Sequence, residues 1–356
     1  MNPVLTRFSV MSPVRLPIIS MRFIYLEVNM ALVRKSNAIC RRVMKTLQPL
    51  SSAVAPSGPE SSQAQAQCGD RQAYGWVSSR SLHGFKRPNL HVIRNQLARF
   101  EGGSVDLEKN SDNGIAILTL NNPRRMNSMT GKMMVDMADK VSELEEWHEG
   151  KALIMRGADG NLCTGGDLTF VRKALHYGEE MAAYQHDTLT RLLNLPLISV
   201  ALVQGHTLGG GAELSTACDF RVMSSSAKIG FVQIKMGLST AWGAATRLTR
   251  LLGRRKAIDL LCSAKILLPD AALREGLVDY ILPRGSEDEL EETTQWLLRN
   301  LCAYDTNITR VVKSLVVSAE LSMDHYQALD AERKLFGQTW GGPVQRKMLE
   351  ANVKHK

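Results

Sequence analysis

Three consecutive glycines, Gly209, Gly210 and Gly211, join an apolar run to a helix-forming segment in the stretch 203–219, VQGHTLGGGAELSTACD, and that helical segment carries one acidic side chain, Glu213. Glycine lacks a Cβ, so the backbone N–H groups of such a run can approach a ligand oxygen closely. A helix that follows adds unpaired N–H groups and the positive end of its dipole. Fixed donors of this kind suit an oxygen that gains charge in a transition state, at about 2.7–4 kcal/mol for one donor. Read alone, the run is equally a packing turn after a buried strand. A second glycine turn, LCTGGDL at 162–168, follows the apolar strand 152–155 and leads into another helix. Two turns that each close a strand-to-helix connection can aim two N–H donors at one oxygen, and they restrict the chain to a fold built from repeated strand–turn–helix units.

The rest of the pattern agrees with such units. Segments 104–108 and 115–120 flank a KNSDNG turn and read as a hairpin. Thr130 is placed to cap a helix in which Met133, Met137, Val141 and Leu144 recur at three- and four-residue spacing, ending near Trp147. A strand at 152–155, two helices reaching about Leu195 and a strand at 197–203 continue the series. Alternation of this kind predicts an α/β fold with mainly parallel strands. After Ala244 the pattern is helical to the end. The expected division is a basic, disordered leader and linker over 1–102, a core over 103–245, and a helical C-terminal region of the same fold over 246–356; the last 254 residues are ample for one large core.

The two glycine turns, together with NNPRRMNSM at 121–129, LISVALVQGHTLGGGAEL at 197–214, CDFRVM after it, and AKIGFVQIKMGL at 227–238 with WGAATRL behind, resemble the crotonase (enoyl-CoA hydratase/isomerase) superfamily in order and spacing. The likeness runs from about Gly103 to the C-terminus. It implies a crotonase-like spiral of ββα units with a C-terminal helical region that packs against neighbouring subunits, hence a homo-oligomer, a trimer or hexamer. GGSVDLEK, LTLNNPRRMNS, ELEEWHEGKALIMRGA, PLISVALVQG and TWGGP are most like a branch of the family that decarboxylates a branched malonyl-type CoA thioester. The implied substrate is an ethyl-substituted and, less well, a methyl-substituted malonyl thioester, removed as a side product of acyl-CoA carboxylation.

The resemblance also implies roles for particular residues. It assigns the oxyanion donors to the N–H groups of Gly166 and Gly210, and places Gly165, Asp167, Leu168, Gly209 and Gln233 among the residues that bind the substrate or its CoA. Glu213 stands where hydratases keep the first of two water-handling glutamates. The second position is occupied by Gln233, which hydrogen-bonds but exchanges no proton near neutral pH. Hydration needs two positioned acid/base groups; decarboxylation does not, because the departing carboxylate supplies the electrons. Glu213, or a water it orients, is then the expected proton donor to the α-carbon, the alternative being that it only hydrogen-bonds backbone and positions the glycine run. Met126 and Ser128 lie where crotonases hold CoA through backbone atoms, and Asp167 and Leu168 begin the helix after the first turn. Trp242 is expected in the acyl pocket or the core; the proline and glycine pair usual nearby are replaced by Thr240 and by Ala244 and Ala245. His206 lies beside the glycine run, His148, His176 and His186 fall on solvated faces, and Lys235 is a candidate anion contact. Hydratase or isomerase activity, and a non-catalytic CoA-binding protein, stay open as alternatives.

Charge divides the chain unevenly, with 14 basic and 4 acidic residues before residue 103 against 30 and 31 after it. The basic balance therefore belongs to the leader and implies no nucleic-acid partner. Residues 1–50, with Glu27 as the sole acid, have the composition of a mitochondrial transit peptide, and 51–67 that of a low-complexity linker. MALVRKSNAICRRVMKTL, from Met30, is an alternative start; the family likeness points to the cytosol and the composition to the mitochondrial matrix. Arg15, Arg22 and Glu27 cut the apolar runs of the leader, and proline and glycine interrupt the uncharged run 192–212, so no membrane span is expected. Six scattered cysteines without CxxC or metal spacing read as reduced structural thiols, with no metal. No Gly-x-Gly-x-x-Gly or P-loop is present, and no cofactor is expected, CoA being part of the substrate.

Overall fold

The apolar strand that precedes the glycine run is the middle of the molecule. In this computed structural model, which describes residues 88–322 and 324–351, it is β4, Ile198–Val203, flanked by β3, Ala152–Gly157, and β6, Phe220–Met223. With β1, Ser104–Asn110, β2, Ile115–Asn121, and β9, Tyr280–Ile281, these form a six-stranded sheet in the order β1-β2-β3-β4-β6-β9. The first pair is antiparallel, with Ser104 opposite Asn121 and Asn110 opposite Ile115 as the hairpin reading requires. Every other neighbouring pair is parallel.

A parallel sheet covered on both faces needs apolar residues at odd and even positions alike. β4 supplies them: Val200 and Leu202 enter one buried cluster, Ala201 and Val203 the other. The larger cluster holds α2, Gly131–Glu145, and α4, Gly178–Asn194, which comes after the short α3, Leu168–Lys173. Thr130 caps α2 by accepting from the Met133 N–H at 3.2 Å, and Met133, Met137, Val141 and Leu144 are all buried. On the opposite face α9, Glu289–Asn300, lays Leu297 and Trp296 over the sheet; the Trp296 ring stacks on Tyr280 at a centroid distance of 5.6 Å. A second sheet of β5, His206–Leu208, β7, Lys228–Gly230, and β8, Ile266–Leu267, runs beside the glycine turns.

Two expectations need correction. The boundary at 102/103 cuts through packed structure, because α1, Leu90–Leu97, belongs to the folded body: Asn89 caps it, Ile93 and Leu97 are buried in the larger cluster, and Arg94 forms a bidentate pair with Asp139 of α2 at 2.5 and 2.9 Å. Gly131 abuts it so closely that a Cβ there would lie 2.3 Å from the Leu97 carbonyl oxygen. Residues 1–87 of the expected leader, including Cys40 and Cys68, lie outside the described residues. Nor do the strands stop at Ala244. β8 pairs antiparallel with β7, and β9 extends the main sheet with the Leu282 N–H on the Met223 carbonyl at 2.9 Å. Two-residue strands show no period of their own; they exist because a sheet edge with free backbone groups already awaits them.

The remaining helices are α5, Gly210–Ser215, α6, Ala244–Leu252, α7, Arg254–Ser263, α8, Pro269–Glu275, α10, Thr306–Leu321, α11, His325–Thr339, and α12, Pro343–Glu350. No helix among the described residues is long and apolar enough to cross a membrane. Leu97→Ala opens a cavity between α1 and α2 and is expected to cost about 2–5 kcal/mol in urea denaturation. A cost near zero would return α1 to the leader.

Candidate active site

Both glycine turns depend on conformations that glycine alone adopts readily: Gly165 has φ +98° and Gly209 φ +55°. The first turn is strapped at three points. Cys163 Sγ accepts from the Gly165 N–H at 3.3 Å, the Gly165 carbonyl accepts from Met129 at 2.7 Å, and the Asp167 N–H donates to the Met129 carbonyl at 2.8 Å. Burial pushes the Cys163 thiol up to about 12, so it stays a neutral acceptor. The second turn is tied to the first through the Leu208 N–H on the Cys163 carbonyl at 3.0 Å, and to β7 through the Gly209 N–H on the Gly230 carbonyl at 2.9 Å.

These ties bring the turns into contact. A Cβ on Gly165 would lie 3.1 Å from the Gly210 nitrogen, and one on Gly211 would lie 1.9 Å from the Cys163 carbonyl oxygen. Among the described residues the N–H groups of Gly166 and Gly210 have no intramolecular acceptor. Two N–H groups without an acceptor thus lie on turns that touch.

Glu213 stands three residues beyond Gly210 on α5 and is only 2% exposed. Its Oε1 accepts from Gln233 Nε2 at 2.7 Å and from the Ala241 N–H at 3.3 Å, and its Oε2 from the N–H groups of Trp242 at 2.8 Å and Ala244 at 3.2 Å. Burial raises the carboxyl above the ordinary range, opposed by the hydrogen bonds of Ala244, Trp242, Ala241 and Gln233. Arg247, on α6, holds the same segment by its carbonyl side: Nη2 donates to the Trp242 carbonyl at 2.7 Å and the Glu213 carbonyl at 3.0 Å, and Nε to Thr216 Oγ1 at 2.9 Å. Burial lowers this guanidinium to about 10. Anion and cation thus act on one stretch of backbone from opposite sides. The stretch presents the Trp242 ring to Gly210, where a Cβ would come within 2.4 Å of it. Trp242, 4% exposed, is a wall behind the donor.

The loop before α2 joins the site through Thr164, whose Oγ1 donates to the Met126 carbonyl at 3.3 Å. Asn127 sets that loop: its Oδ1 accepts from the Asn122 N–H at 2.9 Å, and its Nδ2 donates to the carbonyls of Ala158 at 2.7 Å and Asn161 at 2.6 Å. Met126, with φ +48°, is exposed while Ser128 is buried. Asp167 caps α3 by accepting from Thr169 and Phe170 at 2.8 and 2.9 Å, which occupies its carboxylate with helix N–H groups; Leu168, the first residue of α3, is half exposed. His206 is exposed and its N–H is tied to Asn161 Oδ1 at 2.9 Å, and Lys235 is exposed. Sequence reading missed Arg247, the acceptor role of Cys163 and the N–H groups of 241–244. Of the free cysteines, Cys163, Cys218 and Cys302 are buried and Cys262 is exposed. A cavity of ≈ 560 Å³ at the hairpin end, lined by Glu108, Asn110, Asp112, Asp288 and Glu291 among others, contains no residue of either glycine turn.

Residues 110–350 match the Enoyl-CoA hydratase/isomerase family. The chain belongs to that family. An ethylmalonyl-CoA decarboxylase of Danio rerio is 46% identical over 269 residues, covering 74% of this chain and 88% of the relative. One of Homo sapiens is 45% identical over 275 residues, covering 76% and 87%. A solved enoyl-CoA hydratase of Bacillus anthracis, 23% identical, superposes with a TM-score of 0.62 over 70% of this chain and 95% of that one, a likeness of fold. The crotonase fold is therefore the fold of this chain.

Arg247→Met leaves the Trp242 carbonyl without a donor, at about 1–3 kcal/mol, while the Glu213 carbonyl keeps the Thr216 N–H at 3.1 Å and Thr216 Oγ1 at 2.6 Å. Denaturation should show that loss, and Arg247→Lys, which restores a charge but not the fork, should recover only part of it. Wild-type stability in Arg247→Met would mean that the segment is held by Glu213 alone.

Proposed function

We propose that this member of the family is a carboxy-lyase that converts ethylmalonyl-CoA to butyryl-CoA and CO₂, and methylmalonyl-CoA to propionyl-CoA more weakly. The observation that carries the reading is the pair of unpartnered N–H groups, Gly166 and Gly210, on touching turns, beside a carboxylate whose neighbour is an amide and not a second acid. The names of the relatives, 42–46% identical over most of the chain, point the same way.

The thioester oxygen sits between the two N–H groups. The C–C bond to the carboxylate breaks, its electron pair enters the thioester, and the enolate oxygen receives hydrogen bonds stronger than those of the ground-state carbonyl. No base is required to begin, and the step needs no cofactor beyond the CoA of the substrate. The exposed Arg124 and Arg125, beside Met126, are available for the phosphates of CoA. Hydration is disfavoured because Gln233 cannot exchange a proton and Glu213 accepts hydrogen bonds on both oxygens. A repair role against side products of acyl-CoA carboxylation and a cytosolic location belong to the same reading and rest on the family likeness of the motifs.

Self-association into a trimer or hexamer is part of the proposal. Val312, Val316 and Leu321 on α10, Leu329 and Phe336 on α11, and Trp340 are all exposed, an apolar area that a second copy would cover.

Full-length protein mixed separately with ethylmalonyl-CoA, methylmalonyl-CoA and crotonyl-CoA should release CO₂ from the first fastest and leave the third unchanged. Hydration of crotonyl-CoA would restore the hydratase reading, and CoA binding without turnover the non-catalytic one. Sedimentation should give the mass of three or six chains; a monomer would leave the apolar helices to another partner.

A further inference from the structure

The direction of the Gly166 N–H is set by one residue, Met129. A trans peptide is planar, so its N–H points opposite to the carbonyl of the residue before it. That carbonyl belongs to Gly165 and accepts from the Met129 N–H at 2.7 Å; the next peptide is fixed as well, since the Asp167 N–H donates to the Met129 carbonyl at 2.8 Å. Two arms of chain therefore hold the donor: the one that carries Met129 into α2, and the one that leaves Gly166 and enters α3. Both arms rest on the same six residues, 97–102, which come before the stretch shared with the family, residues 110–350.

On the first arm the contacts are made by backbone. Thr130 Oγ1 donates to the Gly102 carbonyl at 2.6 Å, the Lys132 N–H donates to the Phe100 carbonyl at 2.9 Å, and Gly131 lies so close to the Leu97 carbonyl that a side chain is excluded. On the second arm the contact is a ring. Phe170 of α3 is 3% exposed, its N–H donates to Asp167 Oδ1 at 2.9 Å, and its ring meets that of half-buried Phe100 edge to face, with centroids 5.0 Å apart and planes at 67°. This is a favoured geometry for an aromatic pair. Gly166 itself lies against α3, for a Cβ there would come 3.1 Å from Val171 Cγ2. Phe100 thus closes the circuit, its carbonyl on the arm before the donor and its ring on the arm after it.

We propose that residues 97–102 set the position of the Gly166 N–H for the reaction, and that Phe100 is the positioning residue among them, acting through Lys132 and Met129 on one side and through Phe170 on the other. The proposal rests on the reading of Gly166 and Gly210 as the donors to the thioester oxygen. A donor of this kind lowers the barrier only while it is aimed at the oxygen that gains charge, so a small displacement costs rate. Gly165 with its positive φ and Gly166 with no side chain give the turn little stiffness of its own, and the clamp from outside supplies it. Arg94, paired with Asp139, in turn anchors the helix that leads into the clamp.

Full-length Phe100→Leu keeps an apolar side chain and loses the ring that meets Phe170. Its kcat for CO₂ release from ethylmalonyl-CoA should fall about 10-fold or more, toward the 10²–10³-fold that loss of a whole donor brings, with KM little changed. Infrared difference spectra of bound butyryl-CoA, labelled with ¹³C at the thioester carbonyl, read the donors without turnover. In the wild type the carbonyl vibration should lie below its frequency in water, and in Phe100→Leu it should move back up. Phe170→Leu should act in the same way, and the double variant should lose no more than the larger single effect, because both substitutions remove one contact. Lower stability with wild-type kcat in the folded fraction and an unmoved carbonyl vibration would make Phe100 a packing residue only and overturn the proposal. Should Phe100→Leu fail to fold, Phe170→Leu decides on the same two readouts. Absence of CO₂ release by a wild type that still lowers the carbonyl frequency would sink the decarboxylase reading alone, and the vibration in the variants would still test Phe100. A wild-type frequency equal to that in water would remove the donors and the proposal with them.

Discussion

A buried carboxylate that accepts four hydrogen bonds holds this site together. Ionised Glu213 in an apolar interior would be costly alone, and the structure offsets that cost with N–H groups from Ala241, Trp242, Ala244 and Gln233. The same contacts decide where the segment after β7 lies, hence where Trp242 meets Gly210. Arg247 completes the arrangement without touching the carboxylate: its fork takes the carbonyls of Glu213 and Trp242. Peptide dipoles between the two charges are thereby aligned, and the charges add to the burial of Trp242 and Ala244 in holding the loop. Removing either charge leaves the other buried beside unmatched backbone groups, so the pair is best understood as one device.

Rigidity in the first glycine turn has a different source. Cys163, Met129 and Leu208 fix its backbone by hydrogen bonds, and Gly211 packs on the Cys163 carbonyl so closely that no side chain fits. The donors at Gly166 and Gly210 are consequently prepaid in conformational entropy, the condition under which an N–H group stabilises developing charge without reorganising.

What was legible in the sequence was local. The KNSDNG hairpin, the Thr130 cap and the glycine turns each announce themselves within a few residues, and each lies where it was read. The eight residues of α1 are not legible because a helix this short, with only Ile93 and Leu97 buried, shows too little period to stand out from the basic segment around it. The N–H donors to Glu213 come from 28 to 31 residues further along and belong to backbone, so no side chain marks them. Arg247 reads as one more cation on an amphipathic helix, AATRLTRLL, and only its tertiary acceptors set it apart. Family likeness places Gln233, whereas its pairing with Glu213 is a property of the fold.

That pairing bears on why an amide suits this position. Two carboxyls at 2.7 Å would share a proton, as closely spaced acids do, and such a site can donate to whatever enters it. A donor beside a malonyl-type carboxylate would stabilise the ground state of the very group that must leave. Gln233 spends one of its two N–H bonds on Glu213 and has no proton to share or give up near neutral pH. On the proposed reading the departing carboxylate then meets no acid there, while the oxygen of the forming enolate finds two N–H groups. Binding energy is thus directed to the transition state and withheld from the starting anion, the difference on which rate depends.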